Sequence, residues 1–167
     1  VIGEKALEVD PQSGRVVPNA VATWEVADPN GLSLLMKLRP SLKTHDLSPW
    51  DGRDFTAEDL AFNLTRIAGV TADAERIPRA AFQRASLEAN FLRADAVDAQ
   101  TVRVTLSSPN SAFFNGLTEN RVPMMPKEIV DIGFKDPMKF AGIGAFTTAQ
   151  LVDRYDLTGG KSLFSGG

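Results

Sequence analysis

The 167-residue sequence has no cysteine, one histidine and one tyrosine. Without cysteine there can be no disulfide, no thiolate metal site and no thiol nucleophile. The compartment stays open, because exported and cytosolic proteins alike can lack the residue. His45 is the sole imidazole, with Asp46, Asp51 and Asp54 further along the same stretch. A zinc or non-haem iron centre needs three or more ligands with geometry, and one histidine with loop carboxylates is thin material for it, so no metal is expected. A serine hydrolase would need His45 as its base, and no serine stands in a G-x-S-x-G elbow. No catalytic residue and no cofactor are expected. Gly142-Ile143-Gly144 falls short of G-x-G-x-x-G, since Thr147 replaces the third glycine, and it reads as a structural turn.

Long apolar runs are also missing: no window approaches the ~18 consecutive residues of a membrane-spanning helix. Charge of neither sign clusters, and 18 Lys and Arg against 21 Asp and Glu leave a net charge of -3. That balance favours solubility and gives no footprint for nucleic acid. The start, Val1-Ile2-Gly3-Glu4-Lys5, carries neither an initiator methionine nor a signal-peptide pattern, and reads as cut from something longer.

What is present is ordinary for a soluble globular chain, with 43% hydrophobic and 23% charged residues. A chain of this size buries roughly 70% of its unfolded surface. Residues 1–167 are therefore taken as a single domain with a flexible tail over 154–167, where Gly159-Gly160 and Gly166-Gly167 stand without a terminating core element. Leu32, Leu34, Met36 and Leu38 alternate with polar partners after Asp28-Pro29-Asn30-Gly31, and Thr23 to Val26 precede that turn. This is a hairpin with one buried face. A second is expected where Phe91–Val97 and Thr101–Leu106 flank Asp98-Ala99-Gln100.

Between the hairpins, residues 43–54 read as a polar surface loop. Thr56 then stands as an N-cap, with Glu58 and Asp59 in the first turn and Phe55 set to staple on Leu60. Ala57, Leu60, Ala61, Leu64, Ile67 and Ala68 share one face, and Gly69 is placed to end a helix over 57–68. The adjacent carboxylates Glu58 and Asp59 point to different sides, and helix-start acidity accounts for both. A loop feeding a short helix is expected over 70–83, and a short apolar helix carries Phe113, Phe114 and Leu117. A turn of helix is expected over 127–131, a helix start at Asp136-Pro137 and a last strand over 145–153. Short hairpin connections imply an α+β class: antiparallel hairpins packed with short helices.

Five pieces of the chain also carry a resemblance. Pro18-Asn19-Ala20-Val21-Ala22-Thr23-Trp24-Glu25-Val26 leads into Gly31-Leu32 and Leu38-Arg39-Pro40. His45-Asp46 is followed by Gly52-Arg53-Asp54-Phe55-Thr56-Ala57-Glu58-Asp59-Leu60 and on to Arg66-Ile67. Ala96-Val97-Asp98 to Val102, Val122-Pro123-Met124-Met125-Pro126-Lys127 and Gly142-Ile143-Gly144-Ala145-Phe146 follow in order. Together, over 16–153, they resemble the peptide/nickel solute-binding family, extracellular solute-binding family 5. Residues 47–51 are extra relative to the family pattern, and Ile143 and Ala145 replace its usual Thr and Pro.

The resemblance implies part of the first lobe of a two-lobe, periplasmic-binding-protein-like fold. It implies capture of a peptide or similar small solute and delivery to the membrane permease of an ATP-binding-cassette importer. The location implied is periplasmic or on the extracellular face, with a lipid anchor as one option for a full-length protein. The matched motifs are structural, and no ligand residue carries over from them. Trp50 is a ligand-contact candidate because its loop is polar and offers its ring nothing to lie on. Asn120 and Arg121 join it because they precede the proline-bounded stretch, and plain surface placement competes with each. An enzyme or a protein-interaction domain sharing the fold is the alternative function.

Overall fold

The computed structural model describes residues 3–70, 90–120, 122–132 and 141–144. Its first two strands, β1 (Leu7–Val9) and β2 (Val16–Pro18), form an antiparallel ribbon. Neither is marked by the sequence pattern, because three-residue strands are too short to show an alternation. The ribbon turns where Asp10 Oδ1 accepts the backbone N–H groups of Gln12 (2.7 Å) and Ser13 (3.2 Å).

The D-P-N-G turn forms as expected between β3 (Val21–Val26) and β4 (Ser33–Leu38). Asp28 Oδ1 accepts from the Asn30 N–H at 2.8 Å and Asp28 Oδ2 from the Ser33 N–H, while Gly31 takes φ +72°, which only glycine adopts freely. The second hairpin pairs β5 (Phe91–Ala96) with β6 (Thr101–Leu106), and Asp98 caps its turn through Gln100 N–H and Thr101 N–H, both at 2.8 Å. Antiparallel pairing of β4 with β6 joins the hairpins into one sheet of order β3-β4-β6-β5.

Period-two alternation gives the sheet two unlike faces. Leu34, Met36, Leu38, Val102, Val104 and Leu106 are buried on one, whereas Glu25, Lys37, Arg103 and Asp95 stand exposed on the other. Helix α1 (Ala57–Ala68) packs against β5 and β6 with Leu60, Leu64 and Ile67 buried. It starts at a capping box of Thr56 and Asp59, where Asp59 Oδ2 accepts the Thr56 N–H at 2.9 Å. It ends at Gly69, whose φ of +74° lets the N–H return to the Arg66 carbonyl.

A four-residue turn of helix, α2 (Phe113–Gly116), buries Phe113 and sets Phe114 against Trp24, with ring centroids 5.7 Å apart. A 3₁₀ turn over Lys127–Val130 follows, one residue shorter than the expected helix. Most buried apolar residues form one core under the sheet and α1, and a smaller cluster gathers Trp50, Met125, Ile129, Val130 and Ala141. The α+β class with antiparallel pairing is thus as expected. The expected helix after residue 70, the start at Asp136-Pro137, the 145–153 strand, the 154–167 tail and Arg121 lie outside the described residues.

One expectation needs correcting. Polar composition marks 43–54 as a surface loop, yet Thr44, His45 and Trp50 are buried. The loop is pinched at its base by the Lys43–Asp54 bridge and folds back on itself, with Thr44 N–H donating to Arg53 O (2.9 Å) and Gly52 N–H to His45 O (3.1 Å). Such closure turns some side chains inward whatever the average polarity of the segment.

Candidate functional site

The residues of α1 at positions 59, 63 and 66 lie three or four apart, on one stripe beside the apolar face. Asp59, Asn63 and Arg66 are polar and all buried. What they meet is main chain. Prolines 123 and 126 keep the stretch between them out of a helix, so its backbone groups need partners from elsewhere. Asn63 supplies two, donating from Nδ2 to Met125 O (2.6 Å) and accepting the Met125 N–H at Oδ1 (3.2 Å). Arg66 Nη2 donates to Pro123 O (3.2 Å), and Asp59 Oδ1 accepts the Lys127 N–H (2.9 Å). The three side chains together hold residues 123–127 against the helix.

Asp59 is also the anchor of an ion-pair network. Arg53 grips both of its oxygens, at 2.8 and 2.7 Å, and reaches Glu128 at 2.5 Å. Burial alone would raise the Asp59 pKa, but the Arg53 guanidinium and the Thr56 and Lys127 N–H groups outweigh it and hold the carboxyl below its ordinary value. Glu58, its neighbour in sequence, is exposed and, among the described residues, pairs with the exposed Lys127. Arg66 differs again. Burial pushes its guanidinium down to about 10, its Nε lacks a partner, and no carboxylate pairs with it among the described residues. It remains a cation at neutral pH, placed in the last turn of α1 where the helix dipole favours one.

On the other side of this stretch stands the 43–54 loop. Trp50 is 3% exposed and lies in the small cluster with Met125, Ile129, Val130 and Ala141. The expectation that its ring had nothing to lie on is therefore corrected: the segments 125–130 and 141 provide the surface. His45, expected on a solvated loop, is also buried. Its backbone N–H donates to Gly142 O (3.1 Å), its Nδ1 accepts the Gly142 N–H (3.3 Å), and its Nε2 lies 2.8 Å from Gly144 O. Burial holds its imidazole below the ordinary histidine pKa, only partly offset by the Gly144 carbonyl. Gly142 and Gly144 thus serve as the main-chain counterpart of His45.

Asn120 is exposed, and its Oδ1 accepts from Lys5 Nζ at 2.9 Å, beside the Lys5–Glu8 pair. It is held next to β1, whereas Trp50 is held by the small cluster, so different elements carry the two candidates. Arg121 lies outside the described residues. Two open depressions flank the start of α1, of about 220 and 410 Å³, the first edged by Arg39, Asp54 and Gln100 and the second by Glu58 and Asp98. Among the described residues no three His, Asp or Glu side chains converge as metal ligands, and no helix is long and apolar enough to cross a membrane. Sequence patterns miss the Asp59–Asn63–Arg66 stripe, although its spacing of four and three along a helix was there to be read.

Comparison with known proteins agrees with this framework. A family model described as bacterial extracellular solute-binding proteins, family 5 middle, matches residues 15–157. The glutathione-binding protein GsiB of Escherichia coli O1:K1 is 31% identical over 107 residues, a match covering 64% of this chain and 18% of GsiB. The match therefore spans less than a quarter of the length of that relative. Among solved structures, the dipeptide-binding protein of Pseudoalteromonas sp. SM9913 in complex with Met-Leu superposes with a TM-score of 0.74 at 17% identity, covering 87% of this chain and 31% of that one. The periplasmic binding protein DppA of Helicobacter pylori, in complex with the peptide STSA, does so with a TM-score of 0.70 at 19% identity, covering 87% and 30%.

Proposed function

This chain belongs to the bacterial extracellular solute-binding proteins, family 5, and on that premise we propose that it forms part of one lobe of the substrate-binding component of an ATP-binding-cassette importer. The observation that carries the proposal is the family match over residues 15–157, which spans the sheet, α1 and the stretch that α1 holds. The solute class we favour is a short peptide, because glutathione, Met-Leu and STSA, which appear in the names of three of the similar proteins, are all peptides. Such a protein works outside the inner membrane, on the periplasmic or extracellular face, and hands its solute to a permease. It is not an enzyme: closure of two lobes buries the solute, and no bond in it is made or broken.

Within that function these residues act mainly as scaffold. The Asp59–Asn63–Arg66 stripe and the Trp50 cluster hold residues 122–130 in place, and Asn120 and Arg121, just before that stretch, are the candidates for facing solute. Trp50 acts through packing, given its burial. A two-lobe protein carrying these residues, screened by thermal shift against glutathione, dipeptides and tetrapeptides, is expected to be stabilised by at least one of them, with the peptide recovered intact. Absence of any stabilisation by peptides would refute the proposed solute class, and hydrolysis of the peptide would refute the binding-only role.

A further inference from the structure

His45 carries its imidazole in an arrangement that tolerates one protonation state. Nδ1 accepts the Gly142 N–H at 3.3 Å, so the ring proton sits on Nε2 and is donated to Gly144 O at 2.8 Å. A third bond, from the His45 N–H to Gly142 O at 3.1 Å, fixes the backbone beside the ring. A proton added at Nδ1 would set two N–H donors against each other, on a residue only 7% exposed. The residue joins two segments distant in sequence, and Trp50 of the one and Ala141 of the other pack in the same small cluster.

We propose that His45 is a proton-sensitive clasp: neutral, it ties the 43–54 loop to the Gly142–Gly144 turn, and protonated, it releases that turn.

Among the described residues, no carboxylate stands ready to hold the charged ring. Within the loop, Lys43 pairs with Asp54 at 2.5 Å, Arg53 is engaged by Asp59 and Glu128, and Asp46 and Asp51 are exposed. On the 3₁₀ turn packed beside the loop, Lys127 pairs with Glu58 and Glu128 with Arg53. Residues 141–144 contribute only apolar side chains and glycine. Among the described residues, protonation thus finds no compensating partner, and burial holds the neutral form to lower pH than in a free histidine. Release would loosen Trp50 from Ala141, because the loop that carries the ring is the loop the clasp secures.

The single histidine makes the test direct, since every imidazole signal of the chain comes from His45. Long-range ¹H–¹⁵N correlation spectra of the chain at neutral pH are expected to show the Nε2–H tautomer. On acidification the imidazole midpoint should fall below the ordinary value of ~6.5. The Gly142 amide should shift over the same interval, and Trp50 emission should move to the red, read in a Trp24→Phe background. In His45→Phe, which keeps ring volume but neither ring bond, the Gly142 response should be lost. An Nδ1–H tautomer, a midpoint at or above ~6.5, a Gly142 amide or Trp50 emission indifferent to the titration, or a Gly142 response persisting in His45→Phe would overturn the clasp. If His45→Phe does not fold, the tautomer, the midpoint and the coupled Gly142 shift of the parent decide alone.

Discussion

Two adjacent carboxylates in the first turn of α1 provide a sharp test of what the structure adds to the sequence. Asp59 is fully buried and Glu58 is exposed, so alanine at each position should have very different costs. Asp59→Ala leaves the Thr56 and Lys127 N–H groups without their acceptor, at about 1–3 kcal/mol each. It also removes the two bonds to Arg53. That loss is discounted to about 1 kcal/mol or less, because the Arg53 side chain is 32% exposed and retains Glu128. The sum is about 2–7 kcal/mol, bracketing the ~3–5 kcal/mol expected when one partner of a buried pair is removed. Glu58→Ala loses only an exposed pair with Lys127, worth about 0–1 kcal/mol. Urea denaturation followed by circular dichroism measures both. With a slope of about 2 kcal/mol per molar, the Asp59→Ala midpoint should drop by about 2 M and the Glu58→Ala midpoint by less than about 0.5 M. Midpoints for the two variants within about 0.5 M of each other would refute the assignment of Asp59 as the anchor of this network.

Other consequences follow from the same geometry. Because the folded-state pKa of Asp59 is lowered, its contribution is present above the unfolded value of ~3.9 and is lost as pH falls through the folded value. The stability gap between parent and Asp59→Ala should therefore be constant from pH 7 to about 5 and close at lower pH, as denaturation midpoints across that range would show. Thr56→Ala should cost on the order of 1 kcal/mol, well below Asp59→Ala, and superimposable denaturation curves for parent and Thr56→Ala would contradict the cap. Gly69→Ala places a Cβ at φ +74° and should cost about 1–2 kcal/mol by the same assay, with an unchanged midpoint counting against the left-handed helix end.

Local signals in the chain were legible because each rests on a rule of short range. Asp28-Pro29-Asn30-Gly31 and Asp98-Ala99-Gln100 mark their turns, and the alternation from Leu32 to Leu38 marks the face that becomes the core. The bounds of α1 follow from Thr56 and Gly69 alone. Contacts between distant segments were not legible in the same way. His45 looked solvated because its neighbours are polar, and nothing near it in sequence announces the backbone of residues 142 and 144. The packing of Trp50 is hidden for the same reason, since Met125, Ile129 and Ala141 lie more than seventy residues away. Helix-start acidity accounts for Glu58 and is incomplete for Asp59, a carboxylate with four strong donors. The candidate site is accordingly the least legible part: Asn120 was singled out by its place before Pro123, and its Lys5 partner comes from the other end of the chain.

If these residues build the scaffold of one lobe, as proposed, the solute is held only when the second lobe closes over it. Calorimetric titration of this chain beside a two-lobe protein carrying it, against a pool of short peptides that includes glutathione, separates binding by one lobe from binding by two. A buried pocket encloses about 70–90% of a small ligand, and an open half-cleft loses much of that burial. If half of the ~8 kcal/mol of a micromolar complex is lost, the dissociation constant rises to about millimolar. Micromolar binding by the two-lobe protein and about millimolar or weaker binding by this chain alone are expected. Equal micromolar affinity for both would place the binding site wholly within these 167 residues and contradict the two-lobe proposal.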